Sequence, residues 1–174
     1  MHILIATSGV LPSEPVAEIV SRLVGTDGRV SVVTVINVPT SFLGNLGSQE
    51  WRPLGSEPRQ AQAEVIARYV GERGTRLTQP ILAALAGRGI EPGIHFIQGE
   101  DNAEAIIRVA AEVAADLVVL GATRQIFDES AWESISARVM RDAGRPVLVV
   151  PGGVVQPEAS EFVDPVLDDD PSYS

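Results

Sequence analysis

A chain of 174 residues, 45% apolar and 21% charged, has the size and composition of one ordinary domain with a core of its own. Its reactive inventory is narrow: no cysteine, two histidines (His2 and His95), and thirteen basic residues that are all arginine. That excludes a phosphate-gripping lysine, a Schiff base, disulfides and thiolate chemistry, and two histidines so far apart give no expectation of a metal. The net charge of −10 divides unevenly. Six acids and no arginine lie from Gly152 onward, so thirteen arginines against seventeen acids leave the body at −4. A mildly acidic body speaks against nucleic acid as partner, because counterion release needs a basic face. No apolar run approaches the ~20 residues that span a bilayer. The chain opens on a strand-like run without the basic and long apolar regions of a signal peptide, so a cytoplasmic location is expected.

In chain order, the run His2 to Ala6 predicts a first strand, ending at Thr7, Ser8 and Gly9. Val16, Ile19, Val20, Leu23 and Val24 recur at helical spacing and predict a helix. A second apolar run covers residues 30 to 38, and the loop from Pro39 to Gly55 carries Phe42 and Trp51 as hydrophobic anchors or pocket walls. Ser56, Glu57 and Pro58 open a helical segment reaching Gly89, in which Gly71, Gly74 and Pro80 predict a break or kink before residues 81 to 89 resume it. Residues 93 to 97 form a third run, with His95 expected in core packing or at a sheet edge rather than on a metal.

Asp101 followed by Glu104 is a capping box for a helix whose stripe is Ile106, Ile107, Ala110, Val113 and Ala114. Residues 117 to 121 make a fourth run. Ser130 and Glu133 repeat the capping signature before a stripe of Trp132, Ile135, Val139 and Met140, and residues 146 to 150 close the series.

Near-continuous apolar runs fit strands covered on both faces, as in a parallel sheet. Strands alternating with helices give an α/β class, a five-stranded parallel sheet flanked by helices with right-handed crossovers. In such sheets ligands sit beyond the carboxyl ends of the strands at a switch point, which directs attention to Ser8 after the first strand and Gly121 after the fourth.

The run from Ala115 to Pro151 resembles the carboxy-terminal signature of the universal stress protein family, and "ILIATSG", "VTVINVP" and "IQGEDNAEAII" match its other landmarks in order. The resemblance covers residues 1–151 and leaves 152–174 as an acidic tail. It implies an adenine nucleotide alpha hydrolase-like sheet of order 3-2-1-4-5 and a homodimer paired through the strand at 147–150. It also implies a candidate nucleotide groove at Ala6, Ser8, Val38, Gly121, Arg124, Ser134 and Ile135.

Nucleotide-binding members resemble Gly-x2-Gly-x9-Gly-[Ser/Thr], in which bare backbone approaches the phosphates. Here Gly121 matches the first glycine, Arg124 occupies the second position, Glu133 the third, and Ser134 the Ser/Thr, with the intervening loop one residue short. A carboxylate about 4 Å from a phosphate charge costs roughly 1 kcal/mol in water and about 4 at an effective dielectric of 20. The family's Asp-Gly turn after the first strand is Ser8-Gly9. Each substituted residue also has a structural reading: Glu133 as partner of Ser130, Arg124 in an ion pair with Asp128 or Glu129, Ser134 at a helix start.

No nucleophile–base pair is evident, so no catalytic residue is assigned. The resemblance therefore implies a non-enzymatic, dimeric stress-response module with a degenerate phosphate loop, no cofactor, and a further protein as a candidate partner. The alternative is a sensor that holds ATP, AMP or another anionic ligand with Arg124 in place of the lost amides. Val154, Val155, Phe162, Val163, Val166 and Leu167 give the tail enough apolar content to pack on a partner or a sheet edge; the alternative is a disordered, solubilising tail.

Overall fold

The computed structural model describes residues 1–39, 58–99, 101–122 and 134–151. Five strands and four helices are described: β1 His2–Ala6, α1 Ser13–Val24, β2 Arg29–Ile36, α2 Pro58–Ala86, β3 Gly93–Gln98, α3 Asn102–Glu112, β4 Leu117–Gly121, α4 Ile135–Asp142 and β5 Val147–Val150. The strands form one sheet in the order β3-β2-β1-β4-β5, and every neighbouring pair is parallel. The connection reverses direction between β1 and β4, which places the switch point at their carboxyl ends.

Alternate residues of each central strand enter two separate cores. Ile3, Ile5, Val30 and Val32 meet α1 and α2 through Val16, Val20, Ile81 and Leu85. Leu4, Val33, Val118 and Leu120 meet α3 and α4 through Ile106, Val109 and Val139. This two-sided burial is the physical reason for the unbroken apolar runs: no face is left for polar residues to alternate onto.

Two helical expectations are adjusted. In α1 the buried stripe is Val16, Ala17, Val20 and Val24, while Ile19 and Leu23 lie at its exposed flanks. Residues 58–86 form a single helix with Pro80 inside it, so the expected interruption is not a break. Gly74 is explained by packing: a Cβ there would lie 2.6 Å from the ring of Phe96 on β3, so the missing side chain lets α2 close onto the sheet edge. Thr78, fully buried, satisfies its hydroxyl on the Gly74 carbonyl at 2.9 Å.

The expected capping box at Asp101 forms through the carboxylate, which accepts from the Glu104 amide at 3.0 Å. At the other end of α3, Ala114 takes φ +50 and Arg145 reaches back to the Ala110 and Ala115 carbonyls at 2.6 and 2.7 Å. One guanidinium nitrogen thus adds a charged donor to the Ala110 carbonyl, which also accepts from the Ala115 amide, and to the Ala115 carbonyl just beyond the helix. The box expected at Ser130 and Glu133, the stripe residue Trp132, the loop anchors Phe42 and Trp51, and the tail 152–174 lie outside the described residues.

Candidate functional site: the carboxyl end of the sheet

Strand order brings most of the candidate groove together. Ala6 ends β1, Gly121 ends β4 beside it, and Val38 follows β2 by two residues, so all three lie at the carboxyl ends of adjacent strands. Ser8 is exposed in the turn after β1. Ser134 and Ile135 begin α4, whose chain entry is at the same end because the segment returns from β4 toward β5. Arg124 lies outside the described residues, as does Glu133.

The turn after β1 is fixed by local chemistry. Gly9 has φ +91, its amide donates to Thr7 Oγ1 at 3.0 Å, and a Cβ on it would lie 2.9 Å from Leu77 Cδ2 of α2. Glycine is therefore demanded there by conformation, and a side chain would also have to displace the end of Leu77. Gly121 differs: its φ is not left-handed, and a Cβ would be in ordinary contact with Leu11 at 3.4 Å. Among the described residues neither strain nor a clash imposes glycine at 121; what it removes is a side chain over the end of β4.

At the start of α4, Ser134 Oγ accepts from the Ala137 amide at 3.2 Å and lies 3.3 Å from Ser136 Oγ. The helix end is thus capped by its own serine, the structural role open to that residue. One turn further, Arg138 makes a two-pronged pair with Asp101, NH1 to Oδ1 at 3.0 Å and NH2 to Oδ2 at 2.8 Å, tying α4 to the start of α3. The Arg138 hydrogen bonds, with the Glu104 amide, hold the Asp101 carboxyl below its usual range, and Asp101 in turn raises Arg138. That guanidinium is already committed to a carboxylate.

Of the two histidines, His2 sits at the opposite end of the sheet, whereas His95 pairs in register with Val33, level with Ala6. His95 lies on the edge strand β3, half-buried, as its strand-like surroundings suggest. His2, which carries no signal in the sequence, is a tie point: its Nδ1 is 2.8 Å from the Val113 carbonyl and its Nε2 2.9 Å from Ser31 Oγ. Its partners are 111 and 29 residues away in sequence, so only the folded register reveals them. Among the described residues no group of three or more His, Asp or Glu is placed to hold a metal, and no helix is long and apolar enough to cross a membrane.

A parallel α/β sheet of order 3-2-1-4-5, with its switch point between β1 and β4, defines the class of protein. The family model described as "Universal stress protein family" matches residues 1–151. This chain belongs to that family. Its fold is similar to that of a universal stress protein from Burkholderia pseudomallei, with TM-score 0.53, 22% identity, and 87% of this chain and 96% of that one covered. It is also similar to a universal stress protein in complex with cAMP, with TM-score 0.53, 17% identity and coverage of 87% and 97%. A third similar structure is an Arabidopsis thaliana family member, At3g01520, with AMP bound, with TM-score 0.56, 11% identity and coverage of 88% and 93%. No curated protein sequence matches.

Proposed function

We propose that this chain is a non-enzymatic universal-stress-type regulatory protein that acts as a homodimer and is not a strong ATP binder. The observation that carries this reading is the chemistry of the phosphate end. Arg124 and Glu133 stand where the family motif has glycines, and Ser134, the motif's hydroxyl, is engaged as the cap of α4. Bare amides at a helix start are what attract phosphate; here a side chain, a carboxylate and a cap reduce their number. The absence of lysine and cysteine from the whole chain, with His2 tied to the Val113 carbonyl at the far end of the sheet, supports the non-enzymatic reading of the groove.

Support for the dimer comes from β5, an edge strand whose Val147, Leu148 and Val149 are only half-buried. Pairing two such edges across a two-fold axis covers unpaired backbone and apolar side chains together. The regulatory output then passes through association, with the dimer or its acidic tail engaging a further protein in the cytoplasm. Light scattering tests the dimer: the full chain has twice the monomer mass, and Val149→Arg returns it to monomer. A monomeric full chain would overturn the assembly. Deletion of residues 152–174 that leaves mass and melting temperature unchanged would remove any docking role for the tail.

A second reading, a sensor of ATP, AMP or a related anion, is favoured by Gly121, which no packing among the described residues requires, and by the cAMP and AMP complexes of the similar structures. Arg124 would then supply the charge that amides supply elsewhere. Calorimetry separates the readings, since a sensor binds at micromolar concentration and the weak binder gives no heat even at millimolar nucleotide.

A further inference from the structure

A cavity of about 630 Å³ opens at the amino ends of β1, β2 and β3, on the far side of the sheet from the nucleotide groove. That is within the usual size of small-molecule sites. Its walls include His2, Arg29, Ser31, Glu91, Gly93 and His95, which brings both histidines of the chain to one hollow.

Hydrogen-bond roles at its floor are fixed by the partners. The Val113 carbonyl only accepts, so His2 Nδ1 carries a proton and donates to it at 2.8 Å. Nε2 of the neutral ring then accepts from Ser31 Oγ at 2.9 Å. Protonation of the ring reverses that bond: Nε2 becomes a donor to Ser31, and the serine hydroxyl proton is released toward the cavity. Ser31 pairs in register with Gly93, and a Cβ on Gly93 would lie 3.3 Å from Ser31 Oγ and 3.8 Å from His95 Nε2. The glycine has no left-handed φ, so its effect is to leave a niche onto which the hydroxyl and the second imidazole converge.

The charges facing this niche come from every side. Glu112 at the end of α3 is engaged by Arg108 at 4.0 Å, and Asp116 before β4 accepts from the His2 backbone amide at 2.6 Å. Glu91 lies at the rim before β3. Arg29, exposed at the start of β2, has no ion pair among the described residues, as is true also of Arg68, Arg73, Arg76 and Arg145, and it is the arginine on the wall of this cavity. A metal does not fit, because both ring nitrogens of His2 are already bonded to protein.

We propose that this cavity binds a small oxyanion, a carboxylate or a phosphate group, with proton uptake. Arg29 supplies the opposing charge, His95 Nε2 and the released Ser31 hydroxyl donate to the anion, and protonated His2 holds Ser31 in its donor state. The site is independent of the groove at the carboxyl end.

The test uses the full chain, with sulfate and succinate titrated separately while the imidazole proton resonances of the two histidines are followed by NMR. At least one probe should move both signals saturably, and more tightly in mildly acidic than in mildly alkaline sulfate solution, where the probe's own charge does not change. Sulfate alone points to a phosphate ligand and succinate alone to a carboxylate. Gly93→Ala, which fills the niche, and Arg29→Gln should each weaken binding about tenfold or more while the rest of the spectrum stays folded. Silent histidines at high millimolar probe, equal affinity in acid and base, or shifts undiminished in both variants would each overturn the proposal.

Discussion

The two ends of the sheet are built differently. At the carboxyl end the backbone is exposed at turns: Gly9 is held at φ +91 and Gly121 leaves the end of β4 bare. The charged side chains described nearby, Asp101 and Arg138, are consumed by each other. At the amino end the side chains act instead, with His2 joining β1 to β2 and to the end of α3, and Arg145 donating to the Ala110 and Ala115 carbonyls there. The difference teaches where sequence change alters function. A backbone-built site is lost by adding side chains, as proposed for Arg124 and Glu133, whereas a side-chain-built site is lost by removing them.

The largest expected effect breaks the comparison by removing what both ends share. Leu85, fully buried between α2 and the sheet, should cost about 2–5 kcal/mol when changed to Ala, as for other buried leucines. Urea unfolding would measure it, and both ends should lose protection together. Arg145→Ala acts on one end: it strips the cationic donors from the carbonyls of Ala110 and Ala115 and should cost about 1–3 kcal/mol. Hydrogen exchange should then rise first around residues 110–116, leaving the Thr7–Leu11 turn protected.

Gly9→Ala is the counterpart at the other end. The positive φ and the 2.9 Å approach to Leu77 make it cost about 1–3 kcal/mol, with the turn after β1 loosened and the histidine resonances unchanged. A smaller effect belongs to Asp101→Asn, which keeps a capping side chain but removes the charge paired with Arg138. Because folding lowers the Asp101 pKa, its charge contributes stability above the usual carboxylate range, and that contribution is lost as pH falls through the lowered value. The variant should therefore be less stable than the parent at neutral pH, and the gap should close in acid; a gap independent of pH would place the effect elsewhere.

Sequence reasoning reached most of the architecture because a buried parallel sheet writes itself as apolar runs. His2–Ala6 and Leu117–Gly121 were legible to the residue, since both faces of those strands are covered. The helix over residues 58–86 was less legible, because Gly74 reads as a breaker until Phe96, a residue on another element, is seen to occupy its missing side chain. Local signals such as the Asp101 cap transferred directly. Long-range ones did not: nothing near His2 in the chain announces Ser31 or Val113. Motif residues direct attention to the carboxyl ends of β1 and β4, where the groove is proposed, whereas the amino-end cavity depended entirely on strand register.

The central claim is that this family member keeps the scaffold of the nucleotide groove while having lost its backbone-built grip on phosphate. Isothermal calorimetry with ATP on the full chain and on the Arg124→Gly, Glu133→Gly double variant tests it most directly. The account predicts no measurable heat from the parent at millimolar ATP, and an affinity gain of about tenfold or more, bringing binding into the measurable range, in the folded double variant, each 1.4 kcal/mol recovered being a factor of ten. Micromolar binding by the parent, or a folded double variant that gains nothing, would contradict it.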